Sequence, residues 1–329
     1  MPDPKIHCLN VKQGDCFIIE RSSGRATMID ICCGNLGEKS FLDKMLESSY
    51  AQRIPGDYRM RDNPTNPITY LSSRGISEIW RFILTHPDMD HMDGLGRLFS
   101  EKTVHNFWDC GVRREPPDFE KETDFRKEDW ECYEKIISGK ASSVNVVSPR
   151  ASSHGKYWSA DNDQGEGHGD YLSIISPHDA LIASAGETGD INDASYVVAY
   201  RSSAGQIIFP GDSNDNTWEY ILKNHASSVR NAAVLFAPHH GRKSDRDYSF
   251  LDVVKPRISF FGCAPSEHLA YSAWQYRNLP YFTNNQCGNI HIYPVDKRVE
   301  VFIENQTFAR DFTGGKTFQK DGYWFLCSA

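Results

Sequence analysis

The stretch FILTHPDMDHMDGLG, residues 82–96, crowds two histidines and three aspartates into the eight positions from His86 to Asp93, directly after the apolar run IWRFILT. Carboxylates this close repel one another, and burying them together is costly without a cation. A chain that carries them must hold them at the end of a rigid element, where a loop can aim several ligands at one point. A capped polar turn accounts for one such residue, not for five together. IWRFILT reads as a buried strand and MDGLGRLFSEK as the start of a helix, which places the cluster on a strand-to-helix loop. Asp93, last in the cluster, is expected to cap the helix that begins at Gly94.

The rest of the chain supplies the frame. KIHCLNVKQGDCFIIERSSGRATMIDICCGN contains three short apolar runs broken by Gly and Ser, the pattern of an antiparallel meander, with Asp30 and Gly34 where the third run ends. A polar, loop-rich stretch follows over residues 35–66, and then a short helix with Pro67 in its first turn and Gly75 at its end. Residues 105–170 read as an inserted helical and loop segment. It holds one amphipathic helix bearing Phe119, Phe125, Trp130, Tyr133 and Ile136, and then a Gly-rich polar insert or lid with His154 and His168. The second half repeats the strand style in YLSIISP, ASYVVAYRSSAGQIIFPGD, AAVLFAPHHG, RISFFGCA and NIHIYPVDKRVEVFIE, with a helix in NDNTWEYILKNHAS. Two strand-rich halves with helices interspersed imply two facing sheets covered by helices, in one domain spanning 1–329.

Three strand ends run into polar clusters: Thr85 into His86, Asp88, Asp90 and His91; Phe209 into Asp212; Phe236 into His239 and His240. Imidazoles and carboxylates are ordinary ligands of Zn, Mn and Fe. In an extended loop residues 86, 88 and 90 project to one side while His91 turns to a second position, which suits two adjacent metals. His86 and Asp88 would hold one and Asp90 and His91 the other, with Asp212 as bridge and one histidine of the His239 and His240 pair completing a shell. Just beyond, HHGRKSDR sets Arg242, Lys243 and Arg246 where cations could hold a phosphate.

These segments, in this order, resemble the metallo-beta-lactamase superfamily, whose first motif is HxHxDH, and more narrowly its ComEC-like branch, which tends to carry Asp in place of the second His. LNVKQGDCFIIERSSGRATMIDICCG resembles that branch's opening, RGISEIWRFILTHPDMDHMDGL its metal loop, NDASYVVAYRSSAGQIIFPGD its hairpin and GD, and AAVLFAPHHG its last segment. The resemblance implies an α/β fold, an αββα sandwich of two mixed sheets flanked by helices. It implies two divalent metal ions, Zn or Mn, ligated by His86, Asp88, Asp90, His91, Asp212 and His239. That assignment leaves His240, with Asp90, among the catalytic residues, to stabilise or protonate the leaving group. Asp30 would orient a ligand from behind, and Asp15 and Gln13 would support the floor of the site. The superfamily's third-motif His has no counterpart, and Asn192 and Asp193 stand in its place. Asp88 in place of an imidazole raises the oxygen share of the ligands and leans the site toward Mn.

The implied activity is metal-dependent hydrolysis, first of all of a phosphodiester in a nucleic acid or nucleotide, with Arg242 and Lys243 binding the phosphate. A small ester or lactone is the alternative substrate, and a non-catalytic partner subunit the alternative role. With 36 Lys+Arg against 44 Asp+Glu, a formal charge of -8, the chain has no large positive field for general adhesion to nucleic acid or anionic membrane. No apolar run approaches the ~20 residues of a membrane span, and MPDPKIHCLN lacks the features of a signal peptide, so a cytoplasmic protein is expected, with a protein partner or a homo-oligomer compatible. Nine cysteines without a CxxC pair read as reduced thiols packed in or beside strands.

Overall fold

The structure, a computed structural model, describes residues 4–21, 24–37, 57–121, 124–141, 143–155, 157–159, 169–244, 246–264 and 266–329. Most of the loop-rich stretch and much of the polar insert, His168 included, lie outside the described residues.

The N-terminal meander forms as expected: β1 (Lys5–Cys8), β2 (Phe17–Glu20) and β3 (Ala26–Ile29) pair antiparallel. Then β4 (Glu78–Leu84), β5 (Thr103–Asp109) and β6 (Asn145–Val147) add in parallel to β3. The second sheet repeats this plan. β7 (Leu172–Ser176), β8 (Val197–Ser202) and β9 (Gly205–Phe209) are antiparallel, and β10 (Val234–Phe236), β11 (Ile258–Phe261) and β12 (Tyr281–Thr283) extend it in parallel. The chain then returns to the first sheet, where β13 (Ile290–Val295) pairs with β1, followed by β14 (Arg298–Ile303), β15 (Gln319–Lys320) and β16 (Tyr323–Ser328). The ten-stranded order is β15-β16-β14-β13-β1-β2-β3-β4-β5-β6, and the six-stranded order is β12-β11-β10-β9-β8-β7.

The layers follow from which side chains each strand turns inward. Phe17, Ile29 and Ile83 of the first sheet share one core with Ile207, Phe209, Val234 and Phe236 of the second. Phe17 meets Phe209 at 5.3 Å and Phe236 at 4.3 Å between ring centroids, joining the sheets face to face. The alternate residues Ile18, Met28 and Phe82 face outward under the helices Pro67–Ser73, Leu95–Glu101 and Lys127–Ile137. On the other side Ile208 and Leu235 face the helices Asp215–Asn224 and Tyr271–Tyr276. This is the αββα arrangement. It explains why these strands read as continuous apolar runs: both faces are covered.

Part of the stretch read as an insert is built into this frame, because β5 and β6 belong to the first sheet and only the chain between them carries the amphipathic helix. That helix begins at Lys127, and Phe119 and Phe125 pack against the core from the segment before it. His154 is exposed. Asp93 does not cap the following helix. Its carboxylate accepts from the backbone N–H of Cys33 and from Asn35 Nδ2. Gly94 is instead the N-cap at φ 104°, pressed so close to Gly34 that a Cβ there would lie 2.4 Å from the Gly34 Cα. The free N–H groups of that turn are taken by Asp129 from the neighbouring helix, at 2.9 Å from Gly94 N and 2.8 Å from Gly96 N. All nine cysteines are unpaired thiols, seven of them buried. Among the described residues no helix is long and apolar enough to cross a membrane.

Asp129 is buried and holds the helix that follows the His86–Asp93 loop. Asp129→Ala is expected to lower the unfolding free energy by about 2 kcal/mol by orphaning two backbone donors, whereas Asp129→Asn, which keeps an acceptor, loses less. The midpoint of urea denaturation checks this.

Candidate metal centre

The parallel strands of both sheets end at one place. Asp30 follows β3, Thr85 and His86 follow β4, Asp212 follows β9, and His239 and His240 follow β10. Carboxyl ends of parallel strands are where an α/β sheet gathers ligands, because the loops there are held by the strands behind them.

Asp30, at φ 56° and wholly buried, organises the first loop. Its Oδ1 accepts from the Thr85 backbone N–H at 2.8 Å, and its Oδ2 accepts from Thr85 Oγ1 at 2.7 Å and faces His91 Nδ1 at 2.8 Å. Thr85 Oγ1 also lies 3.1 Å from His86 Nδ1. With each Nδ1 partnered, the Nε2 atoms of His86 and His91 are left to point into the site, the arrangement in which metal-ligating histidines are held. The QGD turn closes the other wall: a Cβ on Gly14 would lie 1.7 Å from the Asp90 carbonyl oxygen, so only glycine lets that turn seat against the loop.

The HHG segment is strained. His239 and His240 both take left-handed backbone conformations (φ 51° and 57°), which cost about 1–3 kcal/mol each and persist where the surroundings over-determine them. Here His239 N–H donates to the Gly211 carbonyl, and the His240 carbonyl accepts from Gly262 N–H. The turn sends the two rings apart, their planes 72° from parallel. His240 is fully buried, with Nδ1 3.1 Å from Asp15 and Nε2 3.6 Å from Asp90 Oδ2 and 3.5 Å from Asp212 Oδ1. His239 sits at the lip, its side chain 20% exposed, with Nε2 3.5 Å from Asp212 Oδ2.

Asp212 stands between these groups. Its Oδ1 is 3.3 Å from His91 Nε2 and 3.5 Å from His240 Nε2, while its Oδ2 is 4.0 Å from His86 Nε2 and 3.5 Å from His239 Nε2. Ligand atoms of His86, His91 and Asp212, of Asp90, His91 and His240, and of Asp15, Asp212 and His240 form three sets, each within 4.8 Å of one another.

The charges fit a cation. Burial disfavours the charged form of His91, but Asp212, Asp30 and Asp90 outweigh it and hold its pKa well above the usual histidine range. His240 is likewise pushed up to about 10, burial being overcome by Asp212 and Asp15. Against burial, the imidazoles of His240 and His91 hold Asp212 well below the carboxylate range, and His91 and His240 do the same for Asp90. His86 is pushed down by burial and by His91. His239 falls to about 3, burial and the neighbouring Arg246 prevailing over the pull of Asp212. Protons on two buried imidazoles thus balance the carboxylates. Yet His86 Nε2, His91 Nε2, His240 Nε2 and Asp212 Oδ1 are all buried without a hydrogen-bond partner. Converging imidazoles and carboxylates, whose Nε2 atoms offer lone pairs once those protons leave, are what a divalent cation of the Zn or Mn type takes.

The sequence expectation counts Asp88 and His239 among the ligands and His240 with the leaving group, and the geometry groups them otherwise. His240 joins the ligand sets and His239 does not. Asp88, 42% exposed at its side chain, caps the turn Met89–His91 and pairs with Arg114 at 2.8 Å. Asn192 and Asp193, expected near the missing third-motif position, lie on the turn Ile191–Ala194. There Asp193 accepts from Asn216, and neither joins a ligand set among the described residues. Arg242 and Lys243 line a cleft with Ser244, Glu267 and His268. Sequence reasoning missed Arg114, whose signal was its place just past the end of β5, and Thr85, whose signal was its position directly before the motif histidine.

No family model matches the chain, and no curated protein does. In solved structures the chain is similar to CmlA, a diiron beta-hydroxylase from Streptomyces venezuelae, at 10% identity over 89% of this chain and 54% of that one, with a TM-score of 0.44. It is also similar to Tm1679, a metal-dependent hydrolase of the beta-lactamase superfamily, at 14% identity over 85% and 95% of the two chains and a TM-score of 0.44. A diphosphatase from the PhnP family matches at 11% identity over 85% and 94%, with a TM-score of 0.38. The chain thus spans about half the length of CmlA and nearly all of the other two.

A cation bound here must displace the proton that His240 carries below pH about 10. Zn2+ binding near pH 7 is therefore expected to release protons and to tighten as pH rises, and Asp212→Asn should abolish most of it. Isothermal titration in two buffers of different ionisation enthalpy reads the proton release. A heat independent of the buffer would contradict it.

Proposed function

We propose that the chain is a metal-dependent hydrolase of the metallo-beta-lactamase superfamily, of the ComEC-like kind, acting on a phosphodiester in a nucleotide or nucleic acid. The observation that carries this reading is Asp212, whose Oδ1 faces His91 and His240 while its Oδ2 faces His86, so that it would serve two cation positions side by side. Asp90, His91 and His240 would hold one divalent ion, Zn or Mn, with Asp212 Oδ1, and His86 would hold the second with Asp212 Oδ2. Bound there, such ions lower the pKa of a water by several units and stabilise negative charge on the substrate.

The chain's own residues set the conditions for that chemistry. Asp30 orients His91 through a hydrogen bond at Nδ1, and the Asp15 carboxylate lies 3.1 Å from His240 Nδ1, so both rings keep Nε2 toward the reacting centre. The buried floor of Asp15, Asp30 and Asp212 excludes bulk solvent from beneath the site, where electrostatic interactions act at low dielectric. Arg242 and Lys243, on the loop that leaves the site, offer cationic donors to a phosphate at its rim. With a chain charge of -8, this local patch rather than a general positive field would have to attract the substrate.

Turnover of bis(p-nitrophenyl) phosphate by protein loaded with Zn2+ or Mn2+ tests this reading. His240→Ala is expected to lower kcat/KM by at least ~100-fold through loss of a ligand, and Lys243→Ala to raise KM several-fold with little change in kcat, as for a group that binds ground state and transition state alike. Absence of bound metal and of turnover in the unsubstituted protein would leave the non-catalytic alternative standing.

A further inference from the structure

The two adjacent histidines face partners of opposite character. Arg246 reaches back into the site from seven residues beyond His239: its Nη1 donates to His239 Nδ1, and its Nη2 donates to the Asp212 backbone carbonyl at 2.9 Å. Ser244 Oγ stands 3.0 Å from the same Nδ1. A guanidinium has donors and no acceptor, so the Nδ1 it meets must offer a lone pair. In a neutral imidazole the hydrogen then sits on the other nitrogen, Nε2. A nitrogen that bears hydrogen has no lone pair to give a metal.

His240 is held the other way. Its Nδ1 lies 3.1 Å from the Asp15 carboxylate, which when ionised only accepts, so when the ring gives up a proton the hydrogen stays on Nδ1 and the lone pair is left on Nε2, between Asp90 and Asp212. His240 is wholly buried, whereas the His239 side chain is 20% exposed beside the Arg242, Lys243 and Ser244 cleft. One histidine of the pair is thus built as a ligand and its neighbour as a hydrogen-bond donor on the solvent side of Asp212.

We propose that His239, fixed by Arg246 with its hydrogen on Nε2, donates a hydrogen bond to the substrate oxygen on which negative charge develops, and that Arg246 is its positioning residue. This rests on the hydrolase reading above. It gives the site a preorganised donor supplied by the chain itself, which favours substrates with an anionic oxygen next to the scissile bond, as in a phosphodiester. It also accounts for the sequence RKSDR after the histidines: Arg246 acts inward on His239, leaving Arg242 and Lys243 to face outward.

The test has a structural and a kinetic arm. Long-range proton–nitrogen correlation spectra of protein labelled with 15N at histidine are expected to show His239 with its hydrogen on Nε2, both metal-free and after addition of Zn2+. In Arg246→Met that preference should be lost. With bis(p-nitrophenyl) phosphate and Zn2+, His239→Ala is expected to keep the Zn2+ stoichiometry of the unsubstituted protein and lose kcat about 100-fold with KM little changed, the usual cost of one such donor. His239→Gln, which keeps a side-chain N–H, should recover part of that loss, and Arg246→Met should add little to it in the double variant. Loss of a Zn2+ equivalent in His239→Ala, or hydrogen on Nδ1 in the spectra, overturns the inference in favour of a ligand role. Undiminished turnover in His239→Ala overturns it while leaving the hydrolase reading intact, and no turnover in the unsubstituted protein overturns that reading itself.

Discussion

The carboxylate of Asp212, buried at the seam between the two sheets, is the group around which the candidate centre is arranged. A lone buried carboxylate is untenable, and this one is surrounded by four imidazoles, with His91 and His240 facing one oxygen and His86 and His239 the other. Those imidazoles in turn lean on Asp15 and Asp30, which would themselves be isolated charges elsewhere in the core. Each charge is thus tolerated only because the next is in place, so the cluster behaves as a unit rather than as a set of independent pairs.

This unit depends on the frame in a specific way. The sheets pack through Phe17 against Phe209 and Phe236; Phe209 and Phe236 lie on β9 and β10, the strands whose ends deliver Asp212 and the two histidines, and Phe17 opens β2 two residues after Asp15. Core packing and site geometry are therefore set by the same strands, and a slip of one residue in register would turn every ligand to the wrong face. The left-handed backbone at Asp30, His239 and His240 is the local strain the frame sustains to aim these groups.

Much of this was legible in the sequence. Apolar runs bounded by Gly, Ser and Pro located eleven of the sixteen strands among the described residues, all but β5, β6, β12, β15 and β16, because strands covered on both faces leave a clear apolar signature. The polar residues directly after those runs named the site, because ligands at strand ends are written next to the strands that hold them. The expected insert over residues 105–170 was less legible: β5 and β6 pair with neighbours far away in sequence, and short strands carry a weak local signal. The cap on the helix Leu95–Glu101 was misplaced for the same reason, since Asp129 reaches it from another helix while the local Asp93 serves a different loop.

By itself, then, the sequence determined the donor inventory, the strand ends on which it sits and the αββα layering, all of which follow from local pattern. Only the tertiary structure decided which donors converge. His239 and His240 are neighbours of identical chemistry, and no local signal separates them. Their roles diverge because a left-handed turn sends one ring to Asp15 and Asp90 and the other to Arg246. Asp88, the letter that stands where the motif has a second histidine, is drawn toward Arg114 and solvent by an ion pair between segments 26 residues apart. Hydrogen-bond partners brought together by folding, rather than residue type, set which lone pair each side chain offers.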